Sequence, residues 1–311
     1  MAINAQAVVD RIRRQCGVGW RESAVDAFLT GRPETEVRGI ATTYAPSLEV
    51  LHKAVASGRN MIVSLENPYW ARPASLASGG TSPTGLQEGP PGYRPLAAPG
   101  GAPPSDPPPP NLEGDSLFRE KRDYIAANNL VIYRFFENWQ ARQPNPQLVA
   151  LVKALGWEKA YRPAQGVPWA TRGAAFIDFP PVTLKVLAQT LKKTLNMGSI
   201  RIIGDAETRV SKAAVKPGIA LLVDLERYYA EPGVNLVIMG EAIWENEGMQ
   251  YAADLVASGQ KTGLILLGQA VSQEPGCAEM ATWIRSFVSE APVEWIRAGD
   301  PSWNPLSGAR A

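Results

Sequence analysis

Acidic and amide side chains follow four apolar runs of this 311-residue chain, and their chemical types are suited to a binding or catalytic site. They are Glu66, Glu137, Asn138, Glu241, Glu245, Gln269, Gln273 and Glu274. Two carboxylates held close together can act as a general acid and a general base, and carboxylate and amide oxygens can hold one hard cation such as Mg²⁺ or Mn²⁺. The sequence therefore indicates an oxygen-rich site, provided that the four runs end at the same place.

Nitrogen and sulfur ligands are scarce in the same chain, which has one histidine, His52, and two cysteines. A Ser-His-Asp or Cys-His mechanism would have to use His52, and a metal site with two imidazoles is excluded. We expect His52 to lie on an exposed helix face, and Cys16 and Cys277 to be small packed side chains. Two cysteines cannot form a disulfide framework, which is typical of a reducing compartment.

Charge and hydropathy exclude two classes of partner. The 31 basic and 30 acidic residues nearly cancel, so the chain has no broad positive field for nucleic acid or an anionic membrane. The N-terminus lacks the basic and apolar regions of a signal peptide, and the longest apolar stretches are too short to span a bilayer. We therefore expect a cytoplasmic protein with no nucleic-acid and no membrane partner.

The elements that must position the polar residues alternate between strand and helix. Predicted strands cover residues 37–43, 60–64, 130–135, 200–203, 234–239 and 262–267, and predicted helices cover 46–57, 118–128, 182–195, 248–258 and 275–288. This alternation favours an α/β fold with substantial parallel pairing. Ligands bind beyond the carboxyl ends of the strands in such sheets, so the polar residues are predicted to converge on one crevice if their strands share a sheet.

Residues 71–113 interrupt this pattern with many prolines and glycines. Such a stretch cannot bury enough apolar surface to offset its ordering entropy, so we predict a disordered insertion there. It is either a tolerated surface insertion or a functional segment, acting as a lid or as a ligand for an SH3-like partner. The predicted domains are a first α/β lobe of residues 1–70 plus 114–165 and a second α/β lobe of residues 166–311.

Several short motifs of the chain are similar, in order and spacing, to those of one known family. They include Val37-Arg38-Gly39-Ile40-Ala41-Thr42-Thr43, Arg134-Phe135, Leu155-Gly156-Trp157, Arg201-Ile202-Ile203-Gly204-Asp205, Gly240-Glu241 and Glu274-Pro275-Gly276. Apart from the proline-rich insertion, nearly the whole chain resembles the Nif-three-like family, the dinuclear-metal-centre hexameric proteins described as GTP cyclohydrolase type 2 homologues. The resemblance implies two similar α/β lobes around a central crevice, a toroidal homo-hexamer, and two metal ions at the strand ends.

The chain departs from the family at the places that hold the metal ligands. The family's first strand ends in His-His or His-Glu before proline, where residues 65–67 are Leu-Glu-Asn; a subgroup has His-Asp-His-Trp where residues 136–139 are Phe-Glu-Asn-Trp. The family's last strand ends in Gly-His with a glutamate four residues later, and Gln269 and Gln273 stand at those places. Amides are poor ligands for zinc or iron, so the resemblance implies a lost or weakened dinuclear site.

Three functions remain open at this point. The protein keeps a polar crevice that binds a small molecule or a protein, or does chemistry, without the two metals. It is a hydrolase in which Glu66, Glu137 and Glu241 hold one Mg²⁺ or Mn²⁺ that polarises a phosphoryl or carbonyl oxygen and generates hydroxide. Or Glu66 and Glu137 do general acid/base work alone.

Glu66 and Glu137 are the predicted catalytic residues, because each occupies a polar site position of the family and is still acidic. The remaining acidic and amide residues are predicted to line the ligand pocket: Asn138, Glu241, Glu245, Gln269, Gln273 and Glu274. The alternative for the carboxylates is that they are simply solvated at strand ends. For the glutamines, the alternative is that they arose by neutral substitution after the metals were lost and have no role in binding.

Overall fold

A computed structural model of the chain describes residues 2–22, 26–69, 112–161, 173–242 and 245–304. Its helices are α1 Ala5–Gln15, α2 Leu48–Ala56, α3 Ser116–Ala127, α4 Glu137–Ala141, α5 Pro146–Ala154, α6 Leu184–Thr194, α7 Leu222–Ala230, α8 Glu245–Ala257 and α9 Gln269–Arg285. Its strands are β1 Phe28–Thr30, β2 Ile40–Thr43, β3 Met61–Ser64, β4 Val131–Arg134, β5 Ala175–Thr183, β6 Arg201–Ile203, β7 Arg209–Ala220, β8 Leu236–Ala242, β9 Gly263–Leu266 and β10 Val293–Trp295. The predicted insertion lies almost entirely outside the described residues, so its disorder stays a prediction.

The first sheet has the strand order β1-β4-β3-β2-β10, in which β2, β3, β4 and β10 run parallel and β1 runs antiparallel to β4. All four residues of β2, β3 and β4 are buried, because helices cover both faces of this part of the sheet. Ser64 at the end of β3 pairs with Arg134 at the end of β4. The segments that carry Glu66 and Glu137 therefore leave the sheet at the same edge.

The second sheet has the order β5-β7-β8-β9-β6, with a parallel centre of β7, β8 and β9 and antiparallel strands at both edges. The register of β7 with β8 shifts between Lys216 and Ile219. Gly218 lies inside this bulge with a φ of 73°, a conformation that favours glycine. The bulge turns the carboxyl end of β7 toward α9, where Gly218 contacts Ser272 and lies close to Gln273.

Helix α9 joins the two sheets. Its residues Met280, Ala281 and Ile284 belong to the apolar core on the first sheet, whereas Val271 belongs to the core on the second. The helix starts at Gln269, directly after Gly268, which has a φ of 86°. The N-terminal turns of α9 therefore lie where the strand ends of the two sheets face each other. Among the described helices, none is both long enough and apolar enough to cross a bilayer.

The structure confirms the α/β fold with parallel pairing and differs from the sequence predictions in three places. No prediction was made for the strands β1, β5, β7 and β10 or for the helices α1, α4, α5 and α7. The helix predicted to start at Pro275 begins six residues earlier, because Gly268 ends the preceding strand segment and Pro275 is accommodated inside the helix. The predicted lobe boundaries also do not follow the sheets, since β10 pairs with β2 of the first sheet and α5 packs in the core of the second. Apolar periodicity indicates burial but not against which sheet.

Candidate functional site

Glu66 lies beside a buried arginine at the ends of β3 and β4. The Arg134 Nε donates to the carbonyl of Leu65 at 2.8 Å, and its Nη2 lies 3.7 Å from the Oε2 of Glu66. The Phe136 ring covers the guanidinium, with 5.4 Å from Cζ to the ring centroid. The Glu66 side chain is 31% exposed and that of Arg134 only 5%. Glu66 therefore faces the crevice with its charge balanced by a fixed cation.

Two glutamines from α9 form the opposite side of the crevice. Gln273 is buried and its Oε1 accepts from Gln140 Nε2 at 3.4 Å. The Oε1 of Gln269 is buried and has no hydrogen-bond partner in the part of the chain that the structure describes. The α-carbon of Gly218 approaches both amides, since a Cβ there would lie 3.3 Å from Gln273 Nε2. The two glutamines are therefore held together, and one of them carries an unsatisfied acceptor.

Small residues fix this end of α9 against the second sheet. The Ser272 hydroxyl accepts from the backbone N–H of Gly218 at 2.9 Å and donates to the Gln269 carbonyl at 2.9 Å. A side chain on Gly240 would clash with Ser272. The serine thus locks the helix to β7 and β8, and this contact sets the position of the two glutamines.

Tyr44 is a site residue that the sequence predictions missed. It directly follows β2, is half-buried, and its hydroxyl has the Gln269 amide as a hydrogen-bond partner. Burial, followed by the charge of Glu66, raises the pKa of Tyr44 well above its ordinary value. The hydroxyl therefore keeps its proton and can donate it. A polar group directly after a buried strand was the available signal, as for Glu66.

Asp26 caps helix α4 and determines where Glu137 and Asn138 point. Its carboxylate accepts the backbone N–H groups of Phe136, Glu137 and Asn138 at 2.7, 3.0 and 2.8 Å. The fully buried Asn138 side chain donates to Asp26 at 2.8 Å and exchanges hydrogen bonds with the backbone of Arg21 at 2.9 and 3.0 Å. Asn138 thus connects three segments of the chain and does not line a pocket. Glu137 is half-buried, and its carboxylate has no ion pair among the described residues.

The candidate on β8 makes its described contact away from the glutamines. Glu241 forms an ion pair with Arg201 of β6, which lies two strands away at the edge of the sheet. Glu245 begins α8, and its side chain is outside the described part of the structure.

Glu274 faces away from the glutamines, toward the segment after β10. Its Oε2 accepts from Trp295 Nε1 at 2.8 Å, and its Oε1 accepts from the N–H groups of Ala298 and Gly299 at 2.8 and 3.1 Å. Burial raises the pKa of Glu274, although these hydrogen bonds oppose the rise. Both of its oxygens are used inside the fold, so Glu274 fastens α9 to the C-terminal segment.

The donor set does not fit the two transition metals that the family resemblance implies. Leu65, at a histidine position of the family, is fully buried in the apolar core. Glu66 and Glu241 each face an arginine. Within the described ranges, no three side chains of histidine, cysteine, aspartate or glutamate come together as a metal site would require. His52 stacks edge-on with Tyr124 at 4.6 Å on the outside of α2.

Buried amide oxygens without a partner lie next to the strand ends. The Oε1 of Gln269 is one of them, and the Tyr44 hydroxyl is a donor close to the same amide. A second amide oxygen, Asn67 Oδ1, is also buried without a partner among the described residues, directly after Glu66. Buried polar groups in proteins are nearly always paired, so unpaired ones at a strand-end crevice indicate a place for a ligand or ordered water.

Comparison with known proteins identifies the fold. The sequence matches no protein-family model and no curated protein. Solved structures do match: the protein ybgI, of unknown function, has a TM-score of 0.63 at 16% identity, covering 96% of this chain and 100% of that one. A Bacillus cereus protein related to NIF3 has a TM-score of 0.62 at 12% identity over 97% and 99% of the two chains. Staphylococcus aureus protein SA1388 has 0.61 at 15% identity over 97% and 99%. The likeness confirms the fold that the sequence resemblance implied.

Proposed function

We propose that the chain is a divergent member of the NIF3 superfamily that binds a small, uncharged polar molecule in the crevice between its two sheets, without the two metal ions of the family. The fold it shares with NIF3-related structures supports the membership, and the replaced ligand residues support the loss of the metals. The residues that form the crevice are Tyr44, Glu66, Arg134, Gln140, Gln269 and Gln273.

The observation that carries this proposal is the unpaired Oε1 of Gln269. A buried acceptor without a donor costs about 1–3 kcal/mol, and a ligand N–H or O–H that reaches it recovers that cost. The backbone that carries Gln269 is held by the Ser272 hydroxyl, which donates to the Gln269 carbonyl and accepts from the Gly218 N–H. A buried acceptor without a partner favours the binding of a ligand that carries a hydrogen-bond donor.

The charge of the crevice favours an uncharged ligand. Glu66 faces Arg134, so neither group presents a net charge to a molecule between the sheets. Tyr44 supplies a donor and Gln269 an acceptor side by side, which matches the N–H and C=O groups of a planar amide. The hydrolase with one Mg²⁺ or Mn²⁺ has less support, because two of its three proposed carboxylates already face arginines. The paired-glutamate mechanism has less support too, because the charged group beside Glu66 is the Arg134 guanidinium, which favours the ionised form of the carboxyl group.

The first test is metal content. We expect the full chain, purified without added metal, to contain well under one zinc, iron or manganese ion per molecule by inductively coupled plasma mass spectrometry. Two tightly bound transition-metal ions per chain would overturn the proposal. An activity that is lost on chelation and restored by Mg²⁺ or Mn²⁺ would favour the hydrolase instead.

The second test is binding of a planar neutral amide, with nicotinamide as the probe and ligand-observed NMR as the measurement. We expect binding to the full chain and its loss in Gln269→Leu and Tyr44→Phe. Gln260→Leu is the matched control, because Gln260 is exposed at the end of α8. Equal binding to Gln269→Leu and to the control would contradict the assignment of the site.

Assembly and location rest on the family resemblance and on composition. We propose a homo-hexamer, and light scattering of the full chain checks it: a mass near that of one chain, 33.6 kDa, would reject the toroid. A cytoplasmic location and the absence of nucleic-acid and membrane partners remain predictions, of which the balanced charge supports the partner prediction.

A further inference from the structure

A second cavity lies on the other side of α9, away from the crevice. It is a groove of about 390 Å³ between α5, the C-terminal end of α6, α9 and β10. None of the six crevice residues lines it. Ligand pockets typically enclose roughly 300–1,000 Å³, so the groove is large enough for a small organic molecule.

The walls of the groove are mostly apolar. Helix α9 contributes Val271, Pro275 and Ala278, which recur at helical spacing on one face, and α5 contributes Ala150 and Ala154 from the opposite side. Small side chains on two facing helices leave room between the backbones. The groove therefore runs between the two helices and is open to solvent.

An aromatic ring closes one end of the groove. Trp295 is 38% exposed, and its indole N–H is fixed by the hydrogen bond to Glu274 at 2.8 Å. The ring therefore presents a rigid apolar face at low entropic cost to a ligand. Glu274 also lines the groove, but both of its oxygens already accept N–H groups of the C-terminal segment.

Two cations line the groove. Arg297 donates from Nη2 to the carbonyls of Leu195 and Asn196 at 2.8 and 3.3 Å, which fixes the guanidinium at the end of α6. Its Nε is buried without a partner among the described residues. Lys153 at the end of α5 is exposed on the rim, where Glu279 is the exposed acidic neighbour. A fixed guanidinium is a typical carboxylate partner, and here it also attracts the Glu274 carboxylate, whose pKa it acts to lower.

We propose that this groove binds a small apolar molecule that bears one carboxylate. The apolar body lies between α5 and α9 against Trp295, and the carboxylate meets Arg297 and Lys153. The proposal is independent of the crevice function, because the two sites share no residue.

The probe is 2-naphthoate, and its uncharged comparison is naphthalene-2-carboxamide, which has the same ring and nearly the same shape. We expect isothermal titration of the full chain to show naphthoate binding at least about tenfold more tightly than the carboxamide, corresponding to one charge-assisted contact. Equal affinities, or no naphthoate binding at millimolar concentration, would overturn the proposal.

Two substitutions in the groove and one control substitution outside it locate the binding. Ala278→Phe fills the groove and should weaken naphthoate binding at least about tenfold, whereas Ala253→Phe on an exposed face of α8 should leave it unchanged. Lys153→Gln, on the exposed rim, should weaken naphthoate about threefold and leave the carboxamide unchanged. Circular dichroism of each variant establishes that it is folded. Unchanged naphthoate binding in folded Ala278→Phe would refute the groove as the site.

Discussion

Replacing Gln269 by leucine should make the ligand-free protein more stable while removing its proposed ligand binding. The Oε1 of Gln269 is buried without a partner among the described residues, and leucine has nearly the same volume without the unsatisfied acceptor. Removing such an acceptor recovers about 1–3 kcal/mol, and losing the amide contact with Tyr44 costs about 0.5–1.5 kcal/mol. The expected net gain in the free energy of unfolding is about 1 kcal/mol.

Urea unfolding of the full chain, followed by circular dichroism, measures this gain as a higher midpoint with an unchanged slope. Gln260→Leu is the control, because an exposed substitution should stay within about 0.5 kcal/mol of the wild type. Nicotinamide binding is measured on the same preparations. If Gln269 serves binding at the expense of stability, Gln269→Leu should raise the urea midpoint and weaken nicotinamide binding.

A lower urea midpoint for Gln269→Leu would refute the reasoning, because it would mean that Gln269 is already satisfied and serves the fold. A higher midpoint with undiminished nicotinamide binding would keep the energetic argument and reject the crevice as the binding site.

Four further predictions concern Glu274, Asp26 and Lys121, the last a buried lysine of α3 that donates to the carbonyl of Pro68. Glu274→Gln should lower the free energy of unfolding by about 1–3 kcal/mol, as measured by urea unfolding. The single amide oxygen cannot accept from Trp295 and also from the backbone N–H groups of Ala298 and Gly299. Since burial raises the pKa of Glu274, its contribution to stability should fall as pH rises from its unfolded pKa of about 4.3 through the raised value, and this fall should vanish in Glu274→Gln. Burial lowers the pKa of Lys121 to about 8, so stability should rise with pH from about 8 to about 10.4, the unfolded pKa of lysine, and Lys121→Met should abolish that rise. Asp26→Asn should destabilise the chain by roughly 2–3 kcal/mol, because an NH₂ group would face N–H donors of α4, and an unchanged urea midpoint would contradict the capping role.

The sequence located most of the strands and the residues that follow them. Buried parallel strands are short apolar runs, so β2, β3, β4, β8 and β9 could be recognised from composition alone. The resemblance added the family fold, which the solved structures confirm. The long strands β5 and β7 could not be predicted from the sequence. Their residues alternate irregularly between buried and exposed, and both strands contain proline.

The candidate site could be predicted only in part. Glu66 directly follows β3, and Gln269 and Gln273 lie in the first turns of α9 close to Gly218 of β7, whereas their role in a site stays a prediction. Asn138 and Glu274 are polar residues of the same type and spacing, but the structure uses them to fasten α4 and α9. No sequence pattern separates the two uses, because a side chain at a strand end or on a helix can turn either inward or toward the opening.

By itself the sequence determined the chemistry that is available: one histidine, few sulfur atoms, and a set of acids and amides after the strands. Tertiary structure decided which of them share a crevice, which face arginines, and which amide oxygen has no partner. The physical reason is that hydrogen bonds and ion pairs depend on distances between segments far apart in the chain. Arg134 meets Glu66 across 68 residues, a contact that only the folding of two parallel strands creates.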